Sequence, residues 1–290
     1  MSAAVASIRY LVVPASGHSY RRTLRPNGAT LRARAPAVAI RSLGAFRLFR
    51  DGVPVSTSAW QSKKARTLLK ILIARRGRST PRELLMESLW PEQDPARLAN
   101  RLSVALATVR AVLDPDKRRT AGYFVAADKD SVQLDLNHVE VDADAFLRSA
   151  HAGLALVRRG SMHEAAAVLG KAERLYAGDF LEEDRYEDWA VDLREEARAT
   201  YVAVARVLAE RSLEAGDHDS AVRCYLRILD TDSWDEDAHL RLVSALERAG
   251  RRGEARRRYR TYASRMGELD LPAAPFPRVG LKEPVALSAL

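Results

Sequence analysis

The chain has 290 residues, 47% of them hydrophobic, and a formal net charge of +9 at pH 7. This length leaves room for two hydrophobic cores, and the apolar content excludes an intrinsically disordered protein. The single cysteine, Cys224, excludes an intramolecular disulfide, and every apolar run is shorter than the roughly 18 residues of a membrane span. The composition therefore predicts a two-domain globular protein of the cytoplasm, without a membrane segment.

Positive charge is concentrated in the first half of the chain. Residues 1–38 contain six arginines and no acid, and residues 39–137 contain 18 Lys and Arg against 10 Asp and Glu. Residues 138–270 have the opposite balance, 21 against 27. Such asymmetry is typical of a nucleic-acid-binding module joined to an acidic partner. We expect a flexible basic extension at 1–38, domains at 39–137 and 138–270, and a proline-containing tail at 271–290.

A small sheet and two helices open the basic domain. Apolar residues alternate through 39–56, where Asp51-Gly52 is typical of a hairpin turn, so this stretch predicts a short antiparallel sheet. "SKKARTLLKILIARRGR" then has the apolar spacing of a helix. A second helix begins in "STPRELLMESLW", where Thr80 and Glu83 have the spacing of a capping box around Pro81.

A third helix is predicted over 94–114, with two unlike faces. Its core-facing stripe consists of apolar residues at helical spacing: Leu98, Leu102, Ala105, Leu106, Val109, Val112 and Leu113. The opposite face is small, polar or cationic: Asn100, Ser103, Val104, Ala107 and Ala111, flanked by Arg97, Arg101, Thr108 and Arg110. Solvated helix faces usually mix Glu with Lys, whereas short side chains edged with arginine suit close approach to a polyanion. Burial on two sides by protein would favour the same pattern, and this helix alone leaves both interpretations open.

Two short strands, predicted at 123–126 and 132–136 around a turn at 128–130, follow the third helix. Sheet, three helices and hairpin is the order of an OmpR-type winged helix, whose third helix enters the major groove of double-stranded DNA. Six residues of that helix are then expected to contact DNA: Arg97, Asn100, Arg101, Val104, Thr108 and Arg110. Basic residues elsewhere are expected at phosphates: Lys63, Lys64, Arg66, Lys117, Arg118, Arg119 and, in the hairpin, Lys129. The arginines of 1–38 are further candidates for phosphate contacts.

Helical signals dominate from residue 138 onward, and strand signals disappear. "EAGDHDSAVRCY" and "RAGRRGEARRRY" repeat at a spacing of 34 residues, the tetratricopeptide period. Ala221 and Ala255 are equivalent small positions, and Gly216 and Gly250 end the first helix of each pair. The acidic, aromatic stretch "YAGDFLEEDRYEDW" interrupts the array. The fold class predicted is mainly α, an N-terminal α+β winged helix-turn-helix followed by an all-α tetratricopeptide-like array.

Motifs of enzymes are missing from this sequence. No G-x-x-x-x-G-K-[ST] run is present, because Gly170-Lys171 is followed by Ala172 where a hydroxyl is needed. The six histidines are scattered, without H-E-x-x-H or a cysteine cluster. We therefore expect no enzymatic activity, no cofactor and no metal.

Residues 40–270 resemble the bacterial transcriptional activator family that includes the Streptomyces antibiotic regulatory proteins. The resemblance rests on "LGAFRLFRDGVPV", "SKKARTLLKILIARRGR", "RELLMESLWPEQDPARLANRLSVALATVR", "LYAGDFLEEDRYEDWAVDLREEAR" and "MGELDLPAAP". The family joins an OmpR-like DNA-binding domain to a bacterial transcriptional activator domain of tetratricopeptide-like helices. Thr108 stands where the family commonly has arginine, a departure that bears on the operator sequence.

The resemblance implies a transcriptional activator that binds direct repeats near a promoter and recruits RNA polymerase. In OmpR-like domains the loop before the third helix touches polymerase, which makes Glu92 and Gln93 the candidate contacts; Trp90 is expected to cover the core instead. A homodimer is a further expectation. The alternative is an interaction scaffold whose winged helix only docks proteins, and that alternative leaves the basic charge of residues 39–137 unexplained.

Overall fold

A computed structural model describes residues 37–91 and 93–277, so the basic extension predicted at 1–38 and the tail at 271–290 lie largely outside the described residues. The described chain opens with strands β1 (Val38–Arg41), β2 (Arg47–Arg50) and β3 (Val53–Pro54), which pair antiparallel. Asp51 and Gly52 both have positive φ, 47° and 82°, at the turn between β2 and β3. This is the backbone that an Asp-Gly hairpin turn needs, as predicted.

Three helices and a hairpin follow the sheet. The helices are α1 (Lys63–Ala74), α2 (Arg82–Leu89) and α3 (Pro95–Leu113), and the hairpin consists of β5 (Val125–Ala127) and β6 (Ser131–Leu134). A short strand, β4 (Thr80–Pro81), lies between α1 and α2. The hairpin β5–β6 is the wing, and β4 extends its sheet in the order β4-β6-β5. The predicted stripe of α3 is buried, with Leu98, Leu102 and Val109 each at most 2% exposed. The winged helix predicted from the sequence is confirmed.

Two local predictions are wrong. Thr80 and Glu83 form no capping box, because Thr80 is extended, 1% exposed and paired with Val132 of the wing, and Pro81 takes the N-cap without a side-chain bond. Strand signals also do not end at 138: β7 (Val139–Val141) pairs parallel with β1, giving the order β3-β2-β1-β7. Three residues are too few to show an alternation, and a parallel neighbour distant in sequence leaves no local signal.

The remainder of the described chain is helical. It consists of α4 (Asp142–Arg158), α5 (Met162–Leu175), α6 (Asp188–Glu214), α7 (His218–Thr231), α8 (Glu236–Arg248) and α9 (Arg252–Glu268). Gly216 and Gly250 lie between paired helices with φ of 75°, a conformation that costs glycine little. Ala221 and Ala255 are fully buried, so the repeat predicted from the 34-residue period is a helical array.

Residues 179–185, which we call the junction segment, connect the array to the first sheet. Leu43 forms an isolated antiparallel bridge with Phe180, and the Gly44 N–H donates to the Asp179 carbonyl at 2.8 Å. The Leu181 N–H donates to the Ser42 carbonyl at 2.8 Å. The acidic insertion seen in the sequence is therefore one of the parts of the array that pack against the winged helix, together with α4 and α6.

Candidate nucleic-acid interface

The polar face of α3 is open to solvent. Asn100, Ser103 and Ala107 are exposed, and Val104 is 59% exposed although it is a large apolar residue. The opposite side packs against α1 and α2, which leaves a convex ridge of short side chains outside the core. Short side chains allow the helix backbone to approach a surface closely, which is what entry into a groove about 12 Å wide requires.

The polar side chains of this face form few hydrogen bonds with the rest of the protein. Arg101 donates from Nη1 to Gln93 Oε1 at 2.6 Å, and both side chains are exposed. Thr108 is partly buried and donates to the Val104 carbonyl at 3.0 Å, four residues back. Arg97 lies in the first turn of α3, where the structure describes the backbone alone. Asn100 and Arg101 are therefore the polar side chains best placed to reach base edges.

Arg110 has a different environment from its neighbours on α3. Its Nε and Nη2 donate to the carbonyl of Val125 at 3.3 and 3.0 Å. Val125 lies on β5, the edge strand of the wing sheet, and is fully buried. Arg110 thus satisfies an edge carbonyl and fixes the wing against α3, in addition to the DNA contact predicted for it.

Arg82 joins the same elements, and sequence reasoning did not select it. Its Nη1 donates to the Asp128 carbonyl in the wing turn at 3.1 Å, and its Nη2 lies 3.4 Å from Ser103 Oγ on α3. The contact brings together residues 21 and 46 positions away from Arg82, so no local pattern could have indicated it.

The predicted phosphate contacts fall into two groups. Lys63, at the start of α1, and Lys129, in the wing turn, are exposed, and their ammonium groups form no hydrogen bond or ion pair with other described residues. Lys117, Arg118 and Arg119 follow α3 and are also exposed. Arg118 pairs with Asp116 at 2.9 Å, and the Arg119 guanidinium lies 4.9 Å from the Tyr123 ring centroid. These five form an exposed cationic set around α3 and the wing.

Lys64 and Arg66 instead contact the protein. Lys64 Nζ donates to the Leu89 carbonyl at the end of α2 at 2.5 Å. Arg66 pairs with Glu183 of the junction segment at 2.7 Å, and its guanidinium lies 5.1 Å from the Phe46 ring centroid. Their charges are therefore less available to DNA phosphates than that of Lys63.

The wing turn is held by one carboxylate. Asp128 accepts from the Asp130 and Ser131 N–H groups at 2.8 and 2.7 Å and from Ser131 Oγ at 3.1 Å. These hydrogen bonds lower the pKa of Asp128 below its usual value, since they favour the charged form. Lys129 is the tip of this turn, so Asp128 sets the backbone that presents it.

The loop between α2 and α3 contains the residues predicted to touch polymerase. Trp90 takes the C-cap of α2, is partly buried and packs against the core, as expected of a residue that covers a helix end. Gln93 is exposed and accepts from Arg101. Glu92 lies outside the described residues.

Charged contacts connect the winged helix to the array. Lys70 of α1 is 4% exposed and donates to Glu183 at 2.6 Å and to Asp184 at 2.5 Å. Arg194 of α6 donates from Nε to the Phe180 carbonyl at 3.1 Å and from Nη2 to the Asp184 carbonyl at 2.9 Å, which orders the junction segment. The buried Lys70 thus pairs with Glu183 and Asp184, and the buried Arg194 holds the backbone of the same segment.

Asp142 lies where β7 meets α4 and is 2% exposed. It accepts from the Ser42 N–H and Oγ, each at 2.7 Å, and from the Leu43 N–H at 3.2 Å. Burial raises the pKa of Asp142, while its hydrogen bonds oppose that rise. This carboxylate ties the end of β1 to the first helix of the array.

A winged helix with an uncovered third helix, joined to a tetratricopeptide-like array, is the architecture of a bacterial DNA-binding transcriptional regulator. Residues 57–124 match the family described as transcriptional regulatory protein, C terminal, and residues 141–276 match the bacterial transcriptional activator domain. The chain therefore contains both domains in the order found in regulators of the Streptomyces antibiotic regulatory protein type.

Two known proteins share this arrangement. The regulatory protein AfsR of Streptomyces coelicolor is 26% identical over 253 residues, which cover 83% of this chain and 23% of AfsR. The solved structure of Mycobacterium tuberculosis EmbR in complex with a low affinity phosphopeptide superposes with a TM-score of 0.65 at 20% identity, covering 83% of this chain and 63% of that one. This chain therefore spans less than two thirds of either protein, and the likeness to EmbR confirms the fold.

Within residues 37–91 and 93–277, no helix has both the length and the apolar character needed to cross a bilayer. The same residues bring no three His, Cys, Asp or Glu side chains into an arrangement that could hold a metal ion. Cys224 is a free, partly buried thiol on α7, and burial raises its pKa.

Proposed function

We propose that this protein regulates transcription in the cytoplasm by inserting α3 into the major groove of double-stranded DNA. The observation that carries the proposal is the open face of α3, on which Asn100, Arg101 and Val104 stand exposed with no other part of the described chain over them. A helix of the protein interior would have this face covered. The exposed apolar side chain of Val104 is explained by a partner surface, and the thymine methyl is an apolar contact of the right size.

The exposed residues divide by the contacts that they would make. Asn100 presents an amide that can pair bidentately with adenine, and Arg101 a guanidinium that can do so with guanine. Thr108 and Arg97 lie further toward the two ends of the same helix. Lys63, Lys117, Arg118, Arg119 and Lys129 would meet phosphates, which fix the register of the protein on the duplex rather than the sequence.

Activation is proposed to need both halves of the chain. The bacterial transcriptional activator domain match covers residues 141–276, and the family implies binding to promoter-proximal repeats and recruitment of RNA polymerase. We assign the polymerase contact to Glu92 and Gln93, next to α3, and we propose that two copies bind adjacent repeats. The domain boundary proposed at 137/138 falls just before β7, the strand that returns to the first sheet.

The decisive experiment is selection of bound sequences from random duplex DNA by the full chain, followed by anisotropy titration of single variants. A recovered direct repeat is expected. Asn100→Ala and Arg101→Ala should each weaken binding to the selected site by about tenfold, since a bidentate base contact contributes about 1–3 kcal/mol, and should change binding to random DNA little. Arg158→Ala is the matched control, because Arg158 is exposed on α4, in the array.

Phosphate contacts give a separate readout. Lys129→Ala and Lys63→Ala should weaken selected and random DNA alike and reduce the slope of log K against log salt by roughly one unit each. If selection recovers no sequence and the chain shows no salt-dependent affinity for duplex DNA, the DNA-binding function is wrong and the scaffold function takes its place.

A further inference from the structure

A cavity of about 510 Å³ lies between the outer face of the β1–β2 hairpin and the end of α5. It is on the opposite side of that sheet from the core residues Ile40 and Leu48. Its apolar lining includes Leu43, Phe49 and Leu175. Its volume falls in the range of about 300–1,000 Å³ that small-molecule sites usually have.

Three arginines line this cavity: Arg41 on β1, Arg47 on β2 and Arg174 on α5. All three side chains are exposed, and none of the three guanidinium groups forms a hydrogen bond or an ion pair in the part of the chain that the structure describes. Five other arginines near the junction segment are instead engaged by carboxylates or carbonyl groups: Arg66, Arg76, Arg194, Arg198 and Arg227.

Arg41 and Arg47 are moreover direct cross-strand partners in the β1–β2 register. Like charges at directly opposed positions destabilise an antiparallel pair, because their side chains project to the same face at short distance. No described carboxylate forms an ion pair with either guanidinium group. An anion bound between the two guanidinium groups would remove it.

Two carboxylates line the cavity beside the three arginines, and neither forms an ion pair with them. Asp142 lines it, but its oxygens accept from Ser42, Leu43 and Ala143 N–H groups, so they are already used. Glu182 also lines it, with its carboxylate packed over Gly178, where a side chain would collide with Oε1. The remaining charge is positive and directed at the cavity from two sides.

We propose that this cavity binds a small phosphate-bearing molecule. A guanidinium donates two parallel hydrogen bonds to phosphate oxygens, and three guanidinium groups together match a doubly charged tetrahedral anion better than a single carboxylate. The apolar lining accommodates an organic portion beside the phosphate. Since Arg41 and Arg47 belong to the sheet of the winged helix and Arg174 to the array, the ligand bridges the two parts of the chain. The proposal concerns a site away from α3 and does not depend on DNA binding.

The test uses the full chain and pyrophosphate as the probe, in calorimetric titrations at constant ionic strength set with chloride. Binding with one-to-one stoichiometry is expected for the unmodified chain. Arg47→Gln and Arg174→Gln should each weaken pyrophosphate binding at least about tenfold, as loss of a charge-assisted hydrogen-bonded pair does. Arg158→Gln, an exposed arginine of α4 outside the cavity, should leave it unchanged.

Thermal unfolding distinguishes a ligand site from a structural role. Without the probe, Arg47→Gln should unfold at the same temperature as the parent chain or higher, because the substitution removes a like-charge pair. With saturating pyrophosphate, the parent chain should gain stability and the variant should not. A lower unfolding temperature of Arg47→Gln without the probe would indicate that the arginine supports the fold and would overturn the proposal.

Two further outcomes also overturn it. Succinate binding as tightly as pyrophosphate would show that the site does not select phosphate. Uniformly weaker binding of Arg41→Gln and Arg47→Gln to random DNA, with a smaller salt slope and no effect on pyrophosphate, would identify the arginines as contacts to the DNA backbone instead.

Discussion

Arg110 is the residue of α3 whose surroundings differ most from those of a base-reading side chain. Its guanidinium donates twice to the Val125 carbonyl on the edge of the wing. We expect Arg110→Met, which keeps the aliphatic length, to lower the free energy of unfolding by about 1–2 kcal/mol, because the carbonyl loses its charged donor. Chemical denaturation measures this. Equal losses of affinity for selected and random DNA should accompany it, and a loss confined to the selected site would instead support base reading by Arg110.

Asp128 makes the wing turn sensitive to pH. Since hydrogen bonding lowers its pKa in the folded protein below the ordinary value of 3.8, the stabilisation of the turn is complete above about pH 4 and is lost as the pH falls through the lowered pKa. Amide hydrogen exchange at Asp130 and Ser131 should therefore stay slow, relative to intrinsic rates, down to about pH 4 and accelerate below it. In Asp128→Ala the protection at these two amides should be absent at every pH. Persistent protection in that variant would show that the backbone alone maintains the turn.

At the scale of the element, α3 has two faces that can be changed independently. Val104 is 59% exposed, so Val104→Glu should alter the free energy of unfolding by less than about 0.5 kcal/mol. A carboxylate on this face would approach the phosphates and base edges of a groove, and DNA affinity should fall at least tenfold on any sequence. Ala152→Glu, at an exposed position on α4, is the matched control. Unchanged DNA affinity of Val104→Glu would remove this face from the interface.

Elements defined by local periodicity could be predicted, whereas those defined by distant partners could not. The stripe of α3 repeats every three or four residues, and each predicted core position is buried. Thr80 instead enters the wing sheet through Val132, and β7 is a strand only because β1 lies beside it. The same holds for the interface: the open face of α3 follows from periodicity, but the contacts of Arg82 and Arg66 depend on residues far along the chain.

In the whole molecule, a polar junction adds to the shared hydrophobic core in fixing the winged helix against the array. Burial alone would raise the pKa of Glu183. The hydrogen bond and positive charge of Lys70, the hydrogen bond from the Phe46 N–H and the charge of Arg66 outweigh it and lower this pKa below the usual 4.5. The stabilisation from Glu183 is therefore complete above about pH 4.5 and is lost as the pH falls through the lowered pKa. The junction also borders the cavity lined by Arg41, Arg47 and Arg174, so a bound anion and the junction carboxylates would act on the same contact between the two parts.

The charge cluster at the junction provides a test of coupling between the two parts. Glu183→Gln with Asp184→Asn leaves Lys70 buried without a carboxylate, and we expect the free energy of unfolding to fall by about 3 kcal/mol, as when a buried pair loses one partner. Adding Lys70→Met should restore most of that loss, because the variant then has no unpaired charge buried at the junction.

Glu164→Gln, at an exposed position of α5, serves as the control for a lost surface carboxylate. Denaturant unfolding is followed in a background carrying Trp189→Phe and Trp234→Phe, so that the remaining fluorescence, from Trp60 and Trp90, reports on the winged helix. Far-ultraviolet dichroism is dominated by the array. The two signals should coincide in the parent chain and separate in the doubly neutralised variant, since the junction contacts are what make the two parts unfold together. Coincident transitions in every variant would show that the hydrophobic core shared by the two parts suffices for the coupling without the charges.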